Sequence, residues 1–285
     1  MTAFDLSKLG KWSAERRFVV ERSRIRDYAA ATNDSNPSHL SGILAPPVLA
    51  VVPAIEVYPA EIEQLFGRPL SDLGSVHGEH DLHIARPLTP GMALRTKASV
   101  IGLHVKPSGT TVTVKTESRD DQGEIVNTQF AVQFLRGFDA GMSAGESPPA
   151  HALAPELHNS NPFTQLRYRV DDDQSQRYAD ASGDHGAYTL DEQAAREAGF
   201  PRPILHGVCT MAFGGRAVIE SVCGGDSLRL KRLAVRFSSV LFPGQDILTT
   251  LWKINERDGL VVVAFEIADS VGTVVISNGL AEVTL

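Results

Sequence analysis

Two short stretches of this chain are built on one frame. YAAATNDSNPSH, Tyr28 to His39, and YADASGDHGAYT, Tyr178 to Thr189, share Tyr, Ala, any residue, Ala, Thr or Ser, any residue, Asp. Tyr28 corresponds to Tyr178, Ala29 to Ala179, Ala31 to Ala181, Thr32 to Ser182 and Asp34 to Asp184, always 150 residues apart. A second echo follows in the same order. HIARPLTPGM (His83–Met92) resembles RFSSVLFPGQ (Arg236–Gln245), with Pro90-Gly91 and Pro243-Gly244 separated by 153 residues. An internal repeat narrows the fold more than any other feature, because the same local plan must succeed twice. A length of 285 residues suits two such units.

Each half has one order of parts. The motif comes first, and an apolar helical run follows: PPVLAVVPAIEVYPAEIEQLFG in the first half, GVCTMAFGGRAVIESVCGG in the second. Strands come last, rich in Thr, Val and Ile and ended by Gly or Asp, with alternation plain in TTVTVKT. RDDQGE and NERDGL read as hairpin turns at matching places. The expectation is an α+β chain in which a main helix in each half is covered by a meandering antiparallel sheet. FDAGMSAGESPPAHALAPELHNSNP, Phe138 to Pro162, has no sustained apolar period and reads as a connection. The expected division is 1–140, a linker at 141–160, and 161–285.

The formal net charge of -7 and a pI near 5.7 argue against a general nucleic-acid binder. Cys209 and Cys223 are too few for a disulfide framework and lack zinc-site spacing, so buried thiols are expected. The N-terminal residues lack a signal-peptide core and no apolar run reaches membrane-spanning length. A cytoplasmic protein without membrane or nucleic-acid partners is expected. His77, His80 and His83 are spaced by three, which on a strand alternates faces, and no cysteine or carboxylate completes a ligand set. No metal and no cofactor is expected.

The second half carries YADASGDHGAYTLDEQAAREAGFPRPILHGVCTMAF, which closely resembles the signature of the MaoC-like hydratases, the type 2 or (R)-specific enoyl-CoA hydratases. The resemblance rests on Ser182-Gly183-Asp184, Asp191, Ala195, Gly199-Phe200 and Pro203-Ile204-Leu205-His206-Gly207. It implies a double hotdog, two sheets each wrapped about a central helix. The halves depart from the signature in opposite ways. The second has Gly186-Ala187 in place of Asn-Pro and Thr189 in place of His, while the first keeps Asp34, Asn36, Pro37 and His39. The first half lacks the segment ending in Pro-Ile-Leu-His-Gly; LSGILA alone separates His39 from Pro46-Pro47.

Hydration of a trans-2-enoyl thioester needs a base for water, an acid for the α-carbon and a donor for the thioester oxygen. By resemblance Asp34 and His39 are the catalytic pair, acting by syn addition to an (R)-3-hydroxyacyl product. Asn36, Val51, Asp184 and Gly207 are the implied substrate contacts, Val51 marking the first-half position of the main-chain donor that Gly207 provides in the second. Thr189 cannot act as a base near neutral pH, and His185, adjacent to Asp184, points elsewhere. The expected substrate is a thioester of coenzyme A or of acyl carrier protein, with further pairing of two chains. Two competitors stand beside this reading: a non-catalytic acyl-thioester binding or scaffold subunit, and a hotdog thioesterase. Local chemistry alone explains Asp34-Ser35-Asn36-Pro37 as a helix-ending turn, Asp184 as a capping aspartate, His206 as a structural histidine, and Arg86 and Arg202 as solvated cations.

Overall fold

The computed structural model describes residues 4–285. In chain order the first half contains β1 (Arg16–Val19), α1 (Arg22–Ala31), α2 (Pro37–Leu40), α3 (Val51–Ile55), α4 (Tyr58–Phe66), β2 (Ser75–Ile84), β3 (Ala93–Lys106), β4 (Gly109–Arg119) and β5 (Ile125–Arg136), with a two-residue β6 (Ala144–Gly145). The second contains β7 (Thr164–Val170), α5 (Gln174–Ser182), α6 (Ala187–Leu190), α7 (Glu192–Glu197), α8 (Gly207–Ser221), β8 (Leu230–Phe237), β9 (Gln245–Arg257), β10 (Leu260–Ala268) and β11 (Val274–Thr284).

The chain packs as two compact units. One comprises the described residues up to Val19 with Ala50–Arg86 and Met92–Ala150; the other comprises Val20–Leu49, Pro87–Gly91 and His151–Leu285. The motif segment with α1 and α2 therefore belongs, by packing, to the unit built mostly from the second half. In the first unit the antiparallel order is β1-β3-β4-β5-β2, and in the second it is β8-β11-β10-β9-β7. The two orders are the same one, β2 corresponding to β8 and β1 to β7.

The central helices differ. The apolar run of the first half breaks into α3 and α4, separated at Glu56-Val57. α4 lays Ile62, Leu65 and Phe66 against Val100, Leu103, Val112, Val114, Ala131 and Leu135. In the second half the run forms one 15-residue helix, α8, buried on almost every side. A Cβ at Gly214 would stand 2.6 Å from the Phe265 ring, so a residue without a side chain lets the helix lie on the sheet. Such burial is what a helix wrapped by a sheet requires.

Two sequence expectations change. RDDQGE joins β4 to β5 whereas NERDGL joins β9 to β10, so these hairpins are not equivalent; the counterpart of RDDQGE is the turn at 269–273 and that of NERDGL is the turn at 106–109. His77 and His80 do not alternate, because the pairing of β2 with β5 shifts register between His77 and Glu79. The bulge at Gly78 brings both rings to one side, with Nδ1 of His80 3.2 Å from Nε2 of His77. Among the described residues no helix is long and apolar enough to cross a membrane, and no group of three or more His, Cys, Asp or Glu has metal-binding geometry.

Candidate active site

The motif is shaped by local hydrogen bonds. α1 ends at Thr32, whose hydroxyl donates to the carbonyl of Tyr28 (2.9 Å). Asn33 is left-handed (φ 52°), and the Asp34 N–H returns to Ala29 O at 2.9 Å. Asp34 Oδ1 accepts from Asn36 N–H (2.8 Å), an Asx turn. Asn36 then caps α2 through its side chain, accepting from Ser38 N–H (3.0 Å), with Pro37 at the first helical position. These constraints bring His39, five residues on, back over Asp34: Nδ1 lies 2.6 Å from Asp34 Oδ2. The His39 side chain is wholly buried and that of Asp34 is 10% exposed.

The other ring nitrogen of His39 meets a residue from far along the chain. Nε2 is 2.9 Å from Ser227 Oγ. Asn36 Nδ2 donates to Gly225 O (2.7 Å), so the loop after α8 is held to the motif at two points. Asp34 also lines a small pocket with Thr32, Pro46, Pro47, Val48, Ala212, Gly215, Arg216 and Ile219. At 10 Å³ it has room for about one water.

The C-terminal end of α1 is clamped by second-half side chains. Arg177 donates to Ala30 O (2.8 Å), Gln174 to Ala31 O, and Arg216 to Asn33 O. The Asn33 amide donates to Arg169 O (3.2 Å), Asp171 Oδ2 (3.1 Å) and Gln174 Oε1 (3.1 Å). Arg216 lies over the Tyr168 ring (4.4 Å) and pairs with Glu220 (2.6 Å), which accepts from Tyr168 OH (2.7 Å). Burial and the Glu220 carboxylate hold the Tyr168 phenol well above its ordinary pKa.

The second motif copy assembles differently. Asp184 Oδ1 accepts from Gly186 N–H (3.2 Å), repeating the Asx turn. Thr189 stands where His39 stands in the first copy, and its hydroxyl donates to Gly186 O (2.6 Å). His206 Nε2 reaches both Thr189 Oγ1 (2.9 Å) and the Asp184 carbonyl (2.9 Å). A carbonyl only accepts, so Nε2 carries the proton. Nδ1 of His206 is buried without a hydrogen-bond partner. Burial accordingly lowers the pKa of His206 and holds it neutral.

The six expected site residues thus fall into separate groups. Asp34, Asn36 and His39 form one cluster; Asp184 and Gly207 adjoin the second, at the start of α8. The α8 residues that line the Asp34 pocket begin at Ala212, five residues beyond Gly207, about 7.5 Å along the helix. Val51, buried, opens the five-residue α3 in the other unit. His185 is 3.6 Å from Asp180, away from the motif. Arg86 pairs with Asp120, and Arg202 donates to Pro243 O (3.1 Å) over the Phe242 ring. Ser227 and Arg216 are the functional candidates that motif reading misses; neither stands at a motif position.

A helix against a five-stranded antiparallel sheet, repeated, with an Asp-x-Asn-Pro-x-His turn beside the second helix, defines a tandem hotdog. The chain belongs to the MaoC-like family of hydratases and dehydratases, which are hydro-lyases. A MaoC-like domain matches residues 154–274, and a FAS1-like dehydratase domain region matches 7–129. The chain is 31% identical over 207 residues to peroxisomal enoyl-CoA hydratase 2 of Arabidopsis thaliana, covering 67% of each. It is 30% identical over 215 residues to 3-hydroxyacyl-thioester dehydratase Y of Mycobacterium tuberculosis, covering 73% of this chain and 72% of that one. The match to peroxisomal multifunctional enzyme type 2 of Drosophila melanogaster is 33% over 193 residues and spans 32% of that longer protein. Among solved structures, the MaoC-like dehydratase of Phytophthora capsici superposes with a TM-score of 0.83 at 29% identity, covering 99% of both chains.

Proposed function

We propose that this chain catalyses the reversible (R)-specific hydration of trans-2-enoyl thioesters of coenzyme A, with Asp34 and His39 as the working pair. The observation that carries the reading is the buried Asp34–His39 contact at 2.6 Å, with Asp34 lining a pocket the size of one water. In the hydration direction a water held at Asp34 gives up a proton as its oxygen bonds to the β-carbon. The electron pair of the double bond moves toward the thioester, and the α-carbon takes up a proton from the same face. The carboxylate–imidazole pair stores and returns that proton. Asn36 belongs to the same turn and keeps its geometry. In this proposal Asp184 and Gly207 remain with the second cluster.

The names of two relatives, an enoyl-CoA hydratase and a hydroxyacyl-thioester dehydratase, support the substrate class. Acyl carrier protein is the competing carrier and is tested with the same acyl groups. Pairing of two chains belongs to the proposal and is tested by sedimentation. Relatives named as peroxisomal set that compartment against the cytoplasm, which fractionation separates.

A non-catalytic acyl-thioester binding subunit is the second reading, and one observation favours it: His39 is fully buried with both ring nitrogens engaged. Loss of enoyl absorbance with crotonyl-CoA and a longer trans-2-enoyl-CoA separates the two. Turnover by the wild type, lowered about 10²- to 10⁴-fold in His39→Ala and Asp34→Asn but kept in Asp184→Asn, is the expected result. Tight binding with no turnover on either carrier would favour the binding subunit.

A further inference from the structure

We propose that Ser227 is the positioning residue that holds the buried His39 ring in the tautomer whose Nδ1–H grips Asp34; the catalytic part of this inference rests on the hydratase reading above. His39 has no exposed surface, so water cannot serve its ring nitrogens. An ionised Asp34 only accepts, which assigns the Nδ1 proton of His39 to their 2.6 Å contact. In the neutral ring Nε2 is then a bare acceptor, and in the imidazolium it is a donor. Ser227 Oγ, at 2.9 Å, satisfies both: the hydroxyl donates to the first form and, on rotation, accepts from the second. With Nδ1–H committed to Asp34, a hydroxyl that donates to Nε2 fixes this tautomer of the buried ring and so the direction in which it grips the carboxylate.

The hydroxyl is held from several directions. Asp226 accepts from Leu228 N–H (3.0 Å) and shapes the turn. Arg229 donates to the Thr284 carbonyl (2.8 Å), tying the loop to β11. Asn36 holds Gly225 at 2.7 Å. The motif thus keeps two side chains, Asn36 and His39, on one loop nearly 190 residues away in sequence. The second copy has no equivalent: His206 Nδ1 is buried and unpartnered, which fixes that ring in one state.

Distances of 2.6 and 2.9 Å also suit a Ser–His–Asp nucleophile. Ser227 is only 6% exposed and does not line the pocket at Asp34, so it is not placed to attack a group held there. The order from the pocket inward is Asp34, His39, Ser227, and the hydroxyl stands behind the base.

The test compares the full-length wild type with Ser227→Ala and Ser227→Thr. Imidazole ¹⁵N shifts of His39 are followed against pH, and kcat and KM for crotonyl-CoA hydration are measured over the same range. Ser227→Ala is expected to move the His39 titration and lower kcat about tenfold, the usual scale for a partner that orients a working imidazole, with KM within about twofold. Ser227→Thr, which keeps the hydroxyl, is expected to restore both. If Ser227→Ala does not fold, Ser227→Cys repeats the test with a near-isosteric but weak hydrogen-bonding group. An unmoved His39 titration, or covalent labelling of Ser227 by a fluorophosphonate, would overturn the proposal. A wild type without hydration would sink the hydratase reading alone, because the ¹⁵N titration still decides what Ser227 does to His39.

Discussion

The two copies of the motif have nearly the same backbone and opposite histidines. In the first, His39 has a partner at each ring nitrogen, a carboxylate at Nδ1 and a hydroxyl at Nε2. In the second, the imidazole comes from His206 instead, bonded through Nε2 to Thr189 Oγ1 and the Asp184 carbonyl, with Nδ1 bare. The Asp184 carboxylate serves its own turn at Gly186. One ring has a partner at each nitrogen; the other is held in its neutral form by burial. Burial alone therefore does not separate a working histidine from a structural one. What separates them is whether the neighbours can follow a proton.

The largest effect expected from this contrast is on turnover. His39→Ala lowers kcat by about 10²- to 10⁴-fold. His206→Asn keeps kcat within about threefold and instead lowers the unfolding free energy by about 1–3 kcal/mol, because the Thr189 and Asp184 contacts are disturbed in a buried place. Steady-state hydration and urea unfolding of both variants measure this. An equal loss of kcat in the two would erase the distinction.

The next effect sets neutral, confined histidines against acid. His77 and His80 in the first unit follow the logic of His206: burial pushes them down to about 3 and about 4, with His80 adding to the effect at His77. Their folded pKa values lie below the ordinary 6.5, so between pH 6.5 and 4 the unfolded chain binds more protons than the native one. Stability is full above pH 6.5 and is lost as the pH falls through that window. At pH 5 the loss is about 2 kcal/mol for each histidine, on the order of 4 kcal/mol for the pair. Urea midpoints at pH 7.5 and 5 measure it, and a midpoint that rises at pH 5 would contradict the assignment.

Much of this was legible in the residues because it is written locally. The 150-residue repeat, the helix-then-sheet plan and the Asp34-Asn36-Pro37-His39 turn depend on contacts within a few positions. Ser227 and Arg216 were not legible. Each reaches the motif by a contact across more than 180 residues, and no periodicity records which loop will lie against which turn. The bulge that unites His77 and His80 escaped for a related reason. Counting alternate faces presumes an unbroken ladder, and Gly78 breaks it. The hairpins erred because Asp-Gly turn chemistry says that a chain reverses, and not which strands it joins.

The smallest effect concerns how each copy leaves its helix. Both must place one residue in the left-handed region before the aspartate. The second uses Gly183 (φ 83°), where an added Cβ would meet nothing within 4 Å. The first uses Asn33 (φ 52°), a residue that tolerates this conformation and whose amide binds three acceptors on the β7–α5 side. Glycine makes the bend freely; asparagine makes the same bend and ties it down. Asn33→Gly should therefore keep the turn but lose its anchors, costing about 1 kcal/mol of stability and a few-fold in kcat as the carboxylate of Asp34 loosens. Gly183→Asn should change neither by a measurable amount, because no chemistry depends on that turn. The paired substitutions are read by urea midpoint and crotonyl-CoA kcat. If Asn33→Gly leaves kcat untouched while stability falls, the anchors hold the fold and not the catalytic turn.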